Sequence, residues 1–146
     1  MKILVINGPN MNMLGLREPE IYGNRTYSDL KDYISRTCEK LGIECSIFQS
    51  NHEGAIIDAI QESYGTADGI VINPAGYTHT SIAIMDALKS VPVPAIEVHL
   101  SDISSREEFR KTSYCALACR ETVAGYGFES YSIAIEELKK IIEENC

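Results

Sequence analysis

The chain has 146 residues, of which 45% are hydrophobic, and a formal net charge of −8. Its length is enough for one domain whose core needs neither disulfides nor a metal ion. The acidic balance and the lack of a basic stripe argue against nucleic acid as a partner. We expect a single domain over residues 1–146, with no signal peptide, transmembrane segment or membrane partner.

The five cysteines are odd in number and form no Cys-x-x-Cys pair, which is typical of reduced thiols in a cytoplasmic protein. Cys115 and Cys119 are four residues apart and could share a helix face. We interpret them as small buried hydrophobic residues, because the His or Asp ligands that a metal site needs are absent nearby. We therefore expect no metal.

Strand and helix patterns alternate along the chain. Thr26 with Asp29 three residues later has the spacing of a capping box and predicts a helix start, and Ser105 with Glu108 repeats that spacing. In chain order the patterns predict strand 2–7, helix 26–41, strand 44–49, helix 53–64, strand 69–73, helix 80–88, strand 94–99, a short helix 105–114, strand 122–125 and helix 131–144.

This alternation predicts right-handed βαβ crossovers and a parallel sheet. Five strands favour an α/β, flavodoxin-like three-layer sandwich with strand order 2-1-3-4-5. Polar clusters follow the first, third and fourth strands, at residues 7–10, 73–81 and 97–101. Ligands of open parallel sheets bind beyond the carboxyl ends of the strands, and this order places those three ends side by side. We therefore expect one composite site.

The connection from residue 8 to residue 24 has about 17 residues, whereas such loops usually have about 2–6. It leaves the end of a predicted site strand and carries Arg17 and Tyr22. A disordered surface loop is one interpretation, but long loops in compact domains are usually lids or binding loops. We predict a lid over residues 8–24.

Several kinds of site can be set aside. Residues 8–15 lack the Gly-Lys-Ser/Thr ending of a P-loop, and no Gly-x-Gly-x-x-Gly follows the first strand. No lysine falls at a predicted strand end, which disfavours Schiff-base chemistry. The polar strand ends, with Arg17, Arg106 and Arg110 as candidate partners of an anion, suit proton transfer on a hydroxylated carboxylic acid. A flavin site stays possible on topology alone.

Six motifs occur in the order in which one enzyme family has them. They are Asn-Gly-Pro-Asn at 7–10, Arg-Glu-Pro with Ile-Tyr-Gly at 17–23, Gln-Ser-Asn with Glu-Gly at 49–54, and the segments 73–81, 97–101 and 106–110. From about residue 3 to residue 131 the chain resembles type II 3-dehydroquinate dehydratase. The resemblance implies an anti elimination of water from 3-dehydroquinate, which gives 3-dehydroshikimate through an enolate without cofactor or metal. It also implies a homododecamer of four trimers, acting in the shikimate pathway of aromatic amino acid biosynthesis or in quinate breakdown.

The resemblance further implies catalytic roles. Tyr22 is the expected general base that removes the proton alpha to the ketone, and Arg17 is the cation that favours its ionised form. His99 is the expected general acid for the departing hydroxyl, with Glu97 orienting it from the same strand face. Asn10 is expected to hold an ordered water near the enolate oxygen.

Substrate-binding roles are implied for a second group of residues. Leu100 and Ser101 are expected to receive the carboxylate through backbone and hydroxyl groups. Asp86 is expected to reach the site of a neighbouring subunit, although it is equally interpretable as an exposed helix carboxylate. The other residues expected to contact the substrate are Asn73, His79 and Arg110.

Some points stay open on sequence alone. Arg106 is either a lid partner or an exposed helix-start residue, Glu53 has no assigned role, and His52 is expected on a surface loop. The chain departs from the family pattern at positions that bear on a local turn and on subunit packing, namely Ala116, Glu121 and Ser130. The alternative function is a non-catalytic flavodoxin-like module that binds a small carboxylate or a flavin.

Overall fold

Five parallel strands form the sheet in a computed structural model that describes residues 1–16, 20 and 24–146. The order β2-β1-β3-β4-β5 confirms the predicted topology. All the neighbouring strand pairs run parallel. The strands are β1 (Lys2–Asn7), β2 (Glu44–Gln49), β3 (Gly69–Asn73), β4 (Ala95–His99) and β5 (Glu121–Ala124).

Helices cover both faces of this sheet. They are α1 (Tyr27–Lys40), α2 (Glu53–Glu62), α3 (Ile82–Ser90) and α4 (Glu129–Glu144). Because side chains alternate across a strand, Val71 of β3 packs with α1 and α4, whereas Ile70 and Ile72 pack with α2 and α3. The two hydrophobic clusters on opposite faces make the three-layer sandwich that the sequence predicts. None of the helices in the described part of the chain has the length and apolar character of a membrane span.

Side-chain caps decide where two of the helices begin. At α1 the predicted capping box is present, since Asp29 N donates to Thr26 Oγ1 at 3.1 Å and Thr26 N donates to Asp29 Oδ2 at 2.9 Å. At α3 the helix begins at Ile82 rather than residue 80, because the Ser81 hydroxyl accepts from Ile84 N at 2.9 Å. Local hydrogen bonds therefore set the boundary that apolar periodicity places only approximately.

The helix predicted over residues 105–114 is wrong. Three short 3-10 turns lie in and on either side of this segment instead: Ile103–Ser105, Glu108–Arg110 and Cys115–Ala118. Asp102, not Ser105, caps the first turn, because its carboxylate accepts from Ser104 N at 3.0 Å and from Ser104 Oγ at 2.6 Å. Such local side-chain to backbone bonds compete with a continuous helix.

Residues 8–16 of the predicted lid are anchored in the core. Residues 11–13 form a 3-10 turn, and Met11 and Leu14 are buried in the cluster beneath α1 and α4. These contacts argue against a disordered loop for residues 8–16. Arg17 and Tyr22 lie outside the described residues.

At Gly8 the end of β1 lies directly against the backbone that follows β3. Its N–H donates to Asn73 O at 2.8 Å, and a Cβ atom at this position would lie 2.6 Å from the carbonyl oxygen of Pro74. A backbone atom cannot move aside as a flexible side chain can. Any residue larger than glycine must therefore push the two strand ends apart.

We expect Gly8→Ala to lower the free energy of unfolding by about 1–3 kcal/mol, the usual cost of overpacking. Chemical denaturation measures the change. Gly54→Ala is the matched control, since a Cβ at Gly54 in α2 meets nothing within 4 Å and removal of a helical glycine stabilises by about 0.5–1 kcal/mol. A Gly8→Ala variant as stable as the native protein would contradict this account of the strand junction.

Candidate active site

A cavity of about 120 Å³ lies beyond the carboxyl ends of β1, β3 and β4, where the polar clusters predict a composite site. The residues on either side of those strand ends, and the two 3-10 turns that follow β4, form its wall. Its polar lining is Asn10, Asn73, His79, His99, Ser101, Arg106 and Arg110, and its apolar lining is Met11, Leu14, Ala75, Gly76, Leu100 and Ile103.

Most of the candidate residues are brought together here, and Arg106 joins them in the wall. Arg17 and Tyr22 lie outside the described residues. Asp86 lies elsewhere, on the exposed face of α3, and does not line the cavity of its own chain. The candidate residues that line the cavity are Asn10, Asn73, His79, His99, Leu100, Ser101 and Arg110.

Glu97 and His99 form a buried acid–imidazole pair on β4. The strand pleat places both side chains on one face, as the sequence predicts, and His99 Nε2 lies 2.9 Å from Glu97 Oε2. Ser113 Oγ donates to the second carboxylate oxygen at 2.7 Å. A carboxylate only accepts hydrogen bonds, so Nε2 carries the proton in this pair. Nδ1 is then the nitrogen that can exchange a proton with a ligand. When Nδ1 is protonated as well, the imidazolium can deliver that proton into the cavity.

The negative charge of Glu97 also affects the thiols behind it. Burial, and secondarily the Glu97 carboxylate, raise the pKa of Cys115 to about 12. Cys119 has a pKa raised by the same two causes. Cys115 is fully buried in the hydrophobic cluster beneath α2 and α3, and the partly buried Cys119 packs against that cluster. Both therefore act as neutral hydrophobic residues, as interpreted from the sequence.

His79 is held in one tautomer by the segment that follows the Glu108–Arg110 turn. Its Nδ1 lies 2.8 Å from the carbonyl oxygen of Thr112. A carbonyl oxygen can only accept, so Nδ1 carries the proton and the neutral ring presents Nε2 as an acceptor. The ring is thus suited to accept a hydrogen bond from a ligand hydroxyl.

Beneath the cavity, Tyr131 of α4 joins the ends of β1 and β3. Its fully buried hydroxyl donates to Asn7 Oδ1 at 2.6 Å and accepts from Asn73 Nδ2 at 3.0 Å. Asn73 Oδ1 in turn accepts from Ala75 N at 3.1 Å, which fixes the orientation of the Asn73 amide. Burial raises the pKa of Tyr131 well above its ordinary value, so the phenol stays neutral. Asn73 therefore enters the cavity wall as a fixed group.

We expect Tyr131→Phe to lower the free energy of unfolding by about 1–3 kcal/mol, because it leaves two buried amide groups without their partner. Thermal or chemical denaturation measures the loss. Tyr33→Phe is the control, since its hydroxyl donates to Ser132 at a partly exposed position where water can substitute. Equal losses in the two variants would contradict the role assigned to the Tyr131 hydroxyl.

Two non-glycine residues with positive φ in the described chain both border the cavity. They are Asn10, with a φ of 69°, and Ala75, with a φ of 52°. Asn10 N donates to Asn51 Oδ1 at 2.9 Å, and Ala75 N donates to Asn73 Oδ1. Backbone strain of this kind is found mostly where a ligand site requires it. It supports a functional role for this edge of the sheet.

Two arginines give the cavity local positive charge in an acidic protein. Arg106 Nη1 donates to Ser101 Oγ at 3.4 Å. Arg110 Nε lies 2.6 Å from Glu107 Oε2, and this contact fixes its guanidinium at the cavity wall. Arg106 is therefore half-buried in the wall rather than an exposed helix-start residue. The Ser101 side of the cavity can accept an anion such as a carboxylate.

The remaining sequence features have structural partners. Glu53 Oε2 accepts from Ser81 Oγ at 2.6 Å, which links α2 to the cap of α3. His52 is exposed at the start of α2, as predicted. The departures from the family pattern are also accommodated: Ala116 N donates to Ser113 Oγ, the buried Ser130 hydroxyl accepts from Tyr126 N, and Glu121 is exposed at the start of β5.

Sequence reasoning missed Tyr131 and Ser113 as parts of this site. Both bond to residues far away in the sequence, so no local spacing points to them. Within residues 1–16, 20 and 24–146, no group of three or more His, Cys, Asp or Glu side chains is arranged to hold a metal ion.

Comparisons with known proteins agree on one family. The profile of the family Dehydroquinase class II matches residues 1–139. The 3-dehydroquinate dehydratase of Clostridium acetobutylicum is 53% identical over 99% of this chain and 100% of its own length. That of Caldicellulosiruptor bescii is 53% identical over 97% of this chain and 99% of its own length.

Solved structures give the same result at the level of the fold. Type II dehydroquinase from Butyrivibrio crossotus superimposes with a TM-score of 0.94 at 53% identity, over 95% of this chain and 97% of that one. Type II dehydroquinase from Propionibacterium acnes gives 0.89 at 38% identity, over 97% and 96% of the two chains. The chain therefore belongs to the class II dehydroquinase family.

Proposed function

We propose that the cavity at the ends of β1, β3 and β4 is the active site of a type II 3-dehydroquinate dehydratase. The enzyme eliminates water in the anti sense from 3-dehydroquinate and gives 3-dehydroshikimate through an enolate, using only its own side chains. The observation that carries this proposal is the buried Glu97–His99 pair, with His99 in the wall of a cavity that also has arginine and amide groups. The family membership and the named relatives support the same reaction.

The substrate carboxylate is placed at the Leu100–Ser101 end of the cavity. Ser101 offers a hydroxyl, and Arg106 and Arg110 supply positive charge beside it. Asn73 and His79 then face the ring hydroxyls, since both are held in orientations that leave hydrogen-bonding capacity at the cavity wall. Asn10 lies at the mouth and holds the water that accompanies the enolate oxygen.

Tyr22 is the general base and Arg17 its cationic partner in this proposal, on the strength of the family motif. A free tyrosine titrates near 10, so ionisation at neutral pH needs about 4 kcal/mol of stabilisation of the anion. A desolvated guanidinium close to the phenolate supplies an energy of that order. The base takes the proton alpha to the ketone, and the electron pair left behind forms the enolate.

His99 completes the elimination as the general acid. As the carbon–oxygen bond breaks, the imidazolium proton passes to the departing hydroxyl, and water leaves. Glu97 stabilises the imidazolium before transfer and keeps Nε2 protonated afterwards. Passage of the proton from Tyr22 back to His99 through solvent restores the starting state.

We further propose that the enzyme is a single-domain, cytoplasmic homododecamer built from four trimers, with Asp86 reaching the cavity of a neighbouring subunit. Asp86 is exposed on α3, and Ile82, one turn earlier, is 52% exposed, as expected of a helix face that meets another subunit. The cysteines are all unpaired, in keeping with a reducing compartment. Sedimentation or light scattering measures the assembly, and a monomer would contradict it.

Incubation of the purified protein with 3-dehydroquinate tests the reaction, because the product is a conjugated enone whose absorbance grows with turnover. Tyr22→Phe, assayed in parallel, separates enzymatic from spontaneous dehydration. The alternative function, a non-catalytic module, predicts binding of a small carboxylate or flavin without turnover. A folded protein that binds such a ligand and gives no enone would overturn the proposed function.

A further inference from the structure

Glu97 is a fully buried carboxylate with two side-chain partners of different kinds. One oxygen lies 2.9 Å from His99 Nε2, and the other accepts from Ser113 Oγ at 2.7 Å. A buried carboxylate needs hydrogen bonds to each oxygen, because no water compensates for its lost hydration. Ser113 therefore supplies the hydrogen bond to the second Glu97 oxygen, since His99 bonds only to the first.

The Ser113 hydroxyl is held in a fixed direction. It accepts from Ala116 N at 3.0 Å, so its only proton is directed to Glu97. The flanking residues fasten the segment to the site: Thr112 O contacts His79 Nδ1 at 2.8 Å, and Tyr114 N donates to Thr78 O at 3.0 Å. The segment 112–114 is thus bonded to both cavity histidines: to His79 through Thr112 O, and to His99 through Ser113 and Glu97.

We propose that Ser113 is a positioning residue for the acid step, which holds the Glu97 carboxylate so that Glu97 aligns the His99 imidazole toward the departing hydroxyl. This inference rests on the proposed dehydratase function and names a residue beyond the carboxylate and imidazole themselves. Ser113 does not line the cavity, so it acts through Glu97 rather than on the substrate.

This position predicts a particular kinetic signature. Loss of the Ser113 hydroxyl leaves one oxygen of Glu97 without a donor. We expect the carboxylate to rotate so that both oxygens approach His99 Nε2, its remaining side-chain donor. The hydrogen bonds of the Ser113 side chain go to Glu97 and Ala116, whereas Ser101 bonds to Arg106 and Arg110 bonds to Glu107, so we expect substrate affinity to be retained. The effect therefore falls on kcat and leaves KM nearly unchanged.

The test measures kcat, KM and thermal stability for Ser113→Ala, Ser113→Thr and a control. We expect Ser113→Ala to lower kcat about 10- to 100-fold, the scale of a lost hydrogen bond to a charged group, with KM changed less than about threefold. Ser113→Thr keeps a hydroxyl and restores kcat to within about threefold. The control is Ser63→Ala, whose buried hydroxyl donates to Ile60 O at 2.6 Å, far from the cavity, and whose kcat should match the native value.

Three results would overturn the inference. They are a folded Ser113→Ala with native kcat, a loss confined to KM, and a folded Ser113→Thr as slow as Ser113→Ala. Should Ser113→Ala fail to fold, Ser113→Cys preserves the size with a weaker donor and must still lower kcat. Native enzyme that gives no enone would instead reject the dehydratase function and this inference with it, whereas an active native enzyme with an unaffected Ser113→Ala rejects only the inference.

Discussion

His99→Ala is expected to lower kcat for 3-dehydroquinate by about 100- to 10,000-fold, the range attributed to one general acid–base group. The imidazole is the proposed proton donor to the departing hydroxyl, and its removal leaves Glu97 with Ser113 as its remaining side-chain partner. The departing hydroxyl then has to take its proton from water. Steady-state assay of enone formation measures the loss.

A matched control separates the effect of losing His99 from the effect of losing a histidine elsewhere in the protein. His52 is exposed at the start of α2, beyond β2 at the opposite edge of the sheet, and His52→Ala should keep native kcat. Thermal denaturation of both variants reports on folding. A folded His99→Ala enzyme within about threefold of native kcat would remove His99 from the acid step.

Tyr22→Phe is expected to lower kcat at least about 100-fold, because the ring remains but the hydroxyl of the proposed general base is gone. The expectation comes from the family motif at residues 17–23 and from the need for a base opposite the His99 acid. Anti elimination requires the two groups to act on opposite faces of the substrate. Steady-state assay gives the loss, and inhibitor binding shows whether the cavity still accepts the acid.

Tyr64→Phe serves as the control for this change. Tyr64 is 66% exposed after the end of α2, and loss of its hydroxyl should leave kcat and stability as they are. A Tyr22→Phe enzyme with nearly native turnover would show that another group removes the proton. That outcome would leave the fold and the cavity intact but reject the assigned base.

The sheet order and the position of the cavity could be predicted because they follow from patterns that repeat along the chain. Apolar runs with polar ends mark β1, β3 and β4, and parallel topology alone brings those ends together. The contact between Glu97 and His99 follows from the two-residue period of a strand. These features depend on local sequence plus one topological rule.

Tertiary contacts explain what the sequence could not predict. Tyr131 reaches Asn7 across 124 residues, and Ser113 reaches Glu97 across 16, so neither bond leaves a periodic trace. The predicted helix at residues 105–114 is wrong because Asp102 caps its own local turn. Asn73 is expected from the family as a ligand group, but its orientation depends on Tyr131 from another helix.

The most direct measurement is a crystal structure of the protein with an unreactive analogue of 3-dehydroquinate. We predict the analogue in the cavity, its carboxylate at Leu100 and Ser101, and His99 about 3 Å from the position of the departing hydroxyl. Tyr22 and Arg17 are predicted to contact each other on the opposite face of the ring. An analogue bound elsewhere, or Tyr22 and Arg17 far from each other and from the bound acid, would contradict the account.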